Sequence, residues 1–143
     1  MTIQRVRDWM TPEPIVAGPE MTLEAAYQLT EEHDIRHLPV VALGRLLGIV
    51  TRDEIRRLQL TAAAEYAYSE LATWAVHLKT VGELTLLPPV TIQPDMEMWQ
   101  AAKLLLWHKL TALPVVAEGR LVGILTESDV FRMVMTEWRA DAV

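Results

Sequence analysis

The sequence predicts an α+β fold made of two β-α-β-β-α units, and three observations carry that reading. The first is an internal repeat, because shifting the 143-residue chain by about 75 positions aligns its two halves without a gap. The second is the pattern within each half, where a helical apolar period gives way to two short strand-like runs joined at a glycine. The third is composition: hydrophobic residues make up 51% and charged residues 22%, which supports a buried core and excludes a disordered or collagen-like chain. A unit of about 55 residues leaves one sheet face open and is marginal alone, so two copies packed face to face solve the problem.

The repeat is explicit in the residues. L-P-V-V-A-L-G-R-L-L-G-I-V-T, Leu38 to Thr51, falls on L-P-V-V-A-E-G-R-L-V-G-I-L-T, Leu113 to Thr126. Val6 meets Val81, Pro14 meets Pro89, Pro19 meets Pro94, Met21 meets Met96 and His33 meets His108. Further on, Thr51 and Glu54 meet Thr126 and Asp129. Ile15-Val16 and Val90-Thr91-Ile92 are short extended segments after prolines. Thr22 caps a helix that buries Leu23, Ala26 and Leu29. In the second half Asp95 is the expected cap of a helix running through Trp99, Ala102 and Leu106 to about His108. Strands follow at Leu38 to Ala42 and Leu46 to Val50, with a turn at Leu43-Gly44, and Leu113 to Leu125 repeats the hairpin with its turn at Glu118-Gly119. Thr51-x-x-Glu54 is a capping box that opens the next helix. The segment 59–80 has no counterpart, lacks Pro and reads as a helical extension through about Trp74 followed by a connector. The divisions expected are therefore 1–58 for the first repeat, 59–80 for the connector, 81–136 for the second repeat and 137–143 for a C-terminal tail.

Charge and residue types exclude several function classes. A net charge of −6 and the lack of a Lys/Arg stripe argue against binding a nucleic acid polymer. No apolar run approaches the ~18 residues that a bilayer span needs. With no cysteine there is no disulfide framework, zinc-thiolate site or catalytic thiol. The four histidines lack metal-ligand spacing, and no Ser/His/Asp arrangement makes a triad, so no enzyme is expected and no cofactor is required. The first ten residues lack the apolar core of a signal peptide, which favours the cytoplasm. Trp99, Trp107 and Leu104 to Leu106 crowd one helix on more than one face, which is expected to be a dimer contact extended by Met133 and Trp138, the alternative being a helix sandwiched within the module.

The layout L-P-V-V, then G-R-L-x-G-I-x-T-x-x-[D/E], twice in one chain, resembles a tandem pair of cystathionine β-synthase (CBS) domains, the Bateman module. The resemblance runs from about Val6 to Met133. It implies a pseudo-twofold pair with two clefts between the repeats, adenosine-containing ligands, dimerisation, and sensing instead of catalysis.

The family's ligand motif is met in full at Gly123-Ile124-Leu125-Thr126-Glu127-Ser128-Asp129. Gly123 permits close backbone approach, Ile124 offers an apolar face to adenine, and Thr126 stands at a helix N-terminus where phosphate is favoured. Asp129 is acceptor-only when ionised and suits the paired hydroxyls of ribose. The competing reading is that Thr126 and Asp129 only cap a helix. By resemblance, Val90, Thr91, Ala112, Leu113 and Pro114 complete this site together with Ser128. The first repeat departs from the pattern, reading Gly48-Ile49-Val50-Thr51-Arg52-Asp53-Glu54, and its site is the weaker one. There Ile15, Val16, Arg36, His37, Leu38, Pro39 and Ile49 join Thr51, Arg52 and Glu54, with Arg52 placed to face a phosphate and Arg36 and His37 as further donors.

The function expected is a stand-alone regulatory module that binds AMP, ADP, ATP or an S-adenosylmethionine-like ligand and signals to a protein partner in trans. The alternative is a ligand-free interaction module that works through its dimer surface.

Overall fold

The computed structural model describes residues 2–65, 79–84 and 88–141, and its helices and antiparallel sheets form an α+β fold of two repeats. In the first repeat, α1 (Val6–Trp9) and β1 (Thr11–Pro12) precede α2 (Leu23–Glu32), β2 (His37–Ala42), β3 (Arg45–Thr51) and α3 (Arg52–Glu65). After a single 3-10 turn at Val81–Glu83, the second repeat supplies α4 (Met98–His108), β4 (Ala112–Ala117), β5 (Arg120–Thr126) and α5 (Glu127–Asp141). The expected continuation of α3 through Trp74, and most of the connector, lie outside the described residues.

Local chemistry explains the elements. The Thr22 hydroxyl accepts from the Ala25 amide at 3.2 Å, as an N-cap should, and α2 buries Leu23, Ala26 and Thr30. Leu29, expected in the core, is half-buried beside it. Both hairpins turn on two residues of positive φ, Leu43 and Gly44 in one and Glu118 and Gly119 in the other. That is the signature of a type I′ turn, whose twist matches the strands it joins. The register that follows sets His37 opposite Thr51 and Ala112 opposite Thr126, with a bulge at Val40/Val41 and again at Val115/Val116. The α4 cap differs from expectation. Glu97 is the N-cap, not Asp95, and the buried face is Met98, Ala101 and Leu105, one position off Trp99, Ala102 and Leu106. The register of the repeat explains this, because Met98 and Ala101 stand where Leu23 and Ala26 do. The last helix continues to Asp141, through residues expected to be tail. The Gln4 amide donates to the Glu137 carboxylate at 2.6 Å and holds that final turn in place.

Two compact units emerge, Ile15–Pro89 and the pairing of Met1–Pro14 with Val90–Val143. They do not follow the repeat boundaries, because each repeat's leading segment packs on the other copy. The Val6 amide donates to the Met96 carbonyl at 2.9 Å, Arg7 to Pro94 at 2.9 Å, and Met98 back to Gln4 at 2.8 Å. Seventy-five positions on, Val81 donates to Met21 at 3.0 Å, Gly82 to Pro19 at 2.8 Å, and Leu23 back to Lys79 at 3.0 Å. Val6 is fully buried with Ile92, Met98 and Leu113, while Val81 is fully buried with Ala17, Leu23 and Leu38.

Each valine therefore closes the core of the unit that its own repeat does not form. Burying a valine contributes roughly 1.5–3 kcal/mol. Val6→Ala and Val81→Ala should each lower unfolding free energy in urea by about 2 kcal/mol. A loss below about 0.5 kcal/mol, typical of surface changes, would show these segments to be appendages.

Candidate functional site

The candidate site residues gather at the open end of each hairpin. In both units the extended segment before the first long helix runs parallel to the hairpin's first strand. The Ala17 amide donates to the Pro39 carbonyl at 2.9 Å and Val41 donates to Ala17 at 2.8 Å; Ile92 and Val116 repeat this on Pro114 and Ile92 at 3.0 and 2.8 Å. Pro39 lies opposite Ile49, and Pro114 opposite Ile124. This sets Ile15 and Val16 along one edge of β2 by Leu38 and Pro39, with Ile49 and Thr51 of β3 along its other edge; Val90 and Thr91 stand likewise to Ala112, Leu113 and Pro114 of β4, with Ile124 and Thr126 of β5 beyond. Accessibility differs among them. Leu38, Pro39, Leu113, Pro114 and Ile124 are buried, whereas Val16, Arg36, Thr91 and Ser128 are exposed. His37 is half-buried and makes its own contacts.

The two helix starts use different chemistry. In the first unit the expected capping box is present: Glu54 accepts from the Thr51 amide at 3.2 Å, and the Glu54 amide donates to the Thr51 hydroxyl at 3.1 Å. In the second, Asp129 Oδ2 accepts from the Thr126 amide at 2.8 Å and from its hydroxyl at 3.3 Å. Its other oxygen, Oδ1, accepts from Arg132 Nη2. Asp129 is thus buried with both oxygens engaged, while the Arg132 side chain stays 59% exposed. The cap reading describes what Asp129 does in this structure. Arg132 was not singled out in the sequence, although its i+3 spacing from Asp129 is a helix-surface pair signal.

Arg52 departs from expectation. Its guanidinium turns back onto the end of α2, donating to the Thr30 carbonyl at 2.7 Å, the Ile35 carbonyl at 3.0 Å and the Thr30 hydroxyl at 3.3 Å. A helix's last carbonyls lack intrahelical donors and carry partial negative charge, so an arginine there satisfies both needs. These donors close the helix onto the start of the next strand. Its counterpart across the repeat is Glu127, and Thr30 is replaced by Leu105, so the second unit has no equivalent lock. Gly123 is also explained from within the chain: a Cβ there would meet Met10 Sδ at 2.5 Å and the Thr11 carbonyl at 3.1 Å, because β1 pairs against β5.

A concavity of about 350 Å³ in the second unit is lined by Arg7, Gln93, Pro94, Asp95, Val116, Ala117 and Glu118, and it shares no residue with the hairpin-end cluster. Among the described residues no group of three His, Asp or Glu is arranged to hold a metal ion. No described helix is long and apolar enough to cross a membrane.

The model of the CBS domain matches residues 6–61 and 81–136. AcuB of Vibrio cholerae, 32% identical, superposes with a TM-score of 0.76 over 99% of this chain and 97% of its own. CBSX2, a CBS-pair protein from Arabidopsis thaliana, has been solved in complex with AMP; it is 30% identical, with a TM-score of 0.75 over 93% of this chain and 97% of its own. The CBS domain pair of protein MJ0100, solved with 5′-methylthioadenosine and S-adenosylmethionine, is 26% identical, with a TM-score of 0.77 over 95% and 99%. The chain spans only 24% of the inosine-5′-monophosphate dehydrogenase of Korarchaeum cryptofilum and 46% of a Methanocaldococcus jannaschii protein, each 30% identical over about 90% of this chain.

The arginine lock makes a stability prediction. Arg52→Met should cost about 1–3 kcal/mol in urea unfolding, because it removes the guanidinium donor from the Ile35 carbonyl and one of the two donors on the Thr30 carbonyl, which the Ile35 amide also reaches at 2.9 Å. A change within about 0.5 kcal/mol would mean that Arg52 is not needed to close α2.

Proposed function

The chain belongs to the CBS domain family, and on that premise we propose that it is a regulatory module that binds an adenosine-containing ligand at the hairpin ends. The reading further takes it to act as a cytoplasmic homodimer on a protein partner, with no catalytic activity of its own. The observation that carries it is the solved complex of CBSX2 with AMP, a chain of this fold at 30% identity. The MJ0100 pair with 5′-methylthioadenosine and S-adenosylmethionine supports the same ligand class.

The better site is in the second repeat, where the motif is complete. Ribose hydroxyls donate to Asp129 Oδ1 in exchange for Arg132, whose exposed side chain is free to swing away. Val90 and Thr91 line the approach, Ser128 stands exposed at the helix start, and Thr126 offers phosphate a helix N-terminus. In the first repeat Arg36 is the exposed cation, and Glu54 is held by its capping box. A second reading is favoured by one observation, the saturation of Asp129 by the chain's own donors. On that reading the protein is a ligand-free interaction module.

A thermal-shift series with AMP, ADP, ATP, S-adenosylmethionine and NAD separates the two. A binder gains about 2.7 kcal/mol of stability at a ligand concentration a hundredfold above its dissociation constant. Asp129→Asn should weaken binding of the active ligand by about ten- to a hundredfold, from the loss of charge-assisted hydrogen bonds. No shift with any of the five compounds would leave the interaction module standing.

A further inference from the structure

We propose that the concavity lined by Arg7, Gln93, Asp95, Val116, Ala117 and Glu118 is a second ligand site, suited to a small zwitterion of the class of free aliphatic α-amino acids. It lies at the turn end of the β4–β5 hairpin, away from the candidate adenosine site, and the inference does not rest on adenosine binding. The backbone around it is fastened at three points. The Arg7 amide donates to the Pro94 carbonyl at 2.9 Å, the Val116 amide to the Ile92 carbonyl at 2.8 Å, and Arg5 Nη1 to the Asp95 carbonyl at 2.6 Å. The Arg5 guanidinium is thus engaged by the chain itself. The side chains of Arg7, Asp95 and Glu118 are not, since none of the three makes a hydrogen bond or ion pair among the described residues. Asp95, the expected cap of α4, leaves that task to Glu97, so its carboxylate is not engaged at the helix start.

The duplication supplies an internal control. Seventy-five positions away, the same backbone hydrogen bonds recur in the other unit, from Gly82 to Pro19 at 2.8 Å and from Val41 to Ala17 at 2.8 Å. The polar side chains do not recur. Arg7 corresponds to Gly82, Gln93 to Gly18 and Glu118 to Leu43, and only Asp95 has an acidic counterpart, Glu20. A Cβ on Gly82 would stand 2.9 Å from the Pro19 carbonyl oxygen, so that place admits no side chain in the other unit. The frame therefore folds with one acid and no cation or amide at these positions. Folding does not call for the polar set that the second repeat's unit carries.

The charges select the ligand. A simple anion would meet Arg7 but also two carboxylates, and a simple cation would meet the carboxylates but also the guanidinium. A molecule carrying both signs satisfies all three. A guanidinium fork holds a carboxylate through two parallel hydrogen bonds, and carboxylates accept from an ammonium. The Gln93 amide donates or accepts and serves either end. Val116 and Ala117 offer a small apolar wall for an aliphatic side chain. A volume of about 350 Å³ lies at the lower end of the roughly 300–1,000 Å³ of ligand pockets, which suits a metabolite of amino-acid size. All four polar residues reach solvent, so the site is open to a ligand in solution. Because the charges stay partly hydrated, the expected dissociation constant is about 0.1–1 mM.

Amide NMR titrations of the whole chain with glycine, L-alanine and L-leucine, without nucleotide, test this. L-Leucine should shift the backbone amides of Val116, Ala117 and Gly119 and the side-chain amide of Gln93, saturating with a dissociation constant of about 1 mM or tighter. L-Leucinamide, which lacks the carboxylate, and N-acetyl-L-leucine, which lacks the ammonium, should each bind about ten- to a hundredfold more weakly. Arg7→Gln should weaken L-leucine by the same factor, and Glu118→Leu, the change to the other unit's residue, by about tenfold. The spectra show whether each variant folds; if one does not, the two analogues on the unaltered chain carry the test. No saturable shift at these amides with any of the three amino acids up to about 20 mM would overturn the inference. So would equal binding of L-leucine and its two analogues, which would mean that the opposed charges are not read. Saturable shifts confined to the hairpin ends would overturn it as well. None of these results depends on whether an adenosine compound binds, because the cavity shares no residue with that site.

Discussion

A β-α-β-β-α unit of this size has a hairpin and two helices but too few apolar side chains to close around them, and the fold meets that constraint by exchange. The segment around Val6 completes the core built by the second repeat, and the segment around Val81 completes the core built by the first. The same three backbone hydrogen bonds, shifted by 75 positions, fasten each one. Cutting between the repeats would therefore remove a fully buried valine from the core of each unit. The exchange also accounts for Gly123, where β5 needs a residue without a side chain because β1 lies against it.

The candidate site inherits its geometry from the hairpins. Because the type I′ turns fix the register, Thr51 faces His37 and Thr126 faces Ala112, and the helix start lands beside the strand start in both units. A slip of one residue would turn every side chain of a strand to the other face. What the duplication holds constant is this frame; what it varies is the polar chemistry at its open end. Arg52 closes α2 onto Thr30 in one unit, and Asp129 gathers Thr126 and Arg132 in the other.

Much of this was legible in the residues. The repeat, the turns at Leu43-Gly44 and Glu118-Gly119, the Thr22 cap and the Thr51–Glu54 box are local signals, and local signals survive in any tertiary context. The exchange of leading segments was not legible, because a repeat says that Val6 and Val81 are equivalent but not which copy each one packs against. The contacts of Arg52 were hidden for a related reason. Its position at a helix start suits an anion, but the end of α2 is brought within reach only by the packing of α2 against α3. The α4 cap falls on Glu97 and not Asp95 because the helix starts at the register of the repeat, Met98 matching Leu23, and not at the nearest good capping residue.

Asp129 shows how a stabilising contact and a binding contact compete for the same atoms. Burying its carboxylate is made tolerable by the Thr126 amide and hydroxyl on one oxygen and Arg132 on the other. A ligand hydroxyl reaches Oδ1 only by replacing Arg132, so its contribution is a difference between two interactions. Arg132 makes one hydrogen bond to that charged oxygen, worth roughly 1.5–3 kcal/mol, and the paired hydroxyls of a ribose make two of the same class. On the proposed reading the exchange favours the ligand by about one such bond, and Asp129 stays paired and the helix capped whenever the ligand is gone.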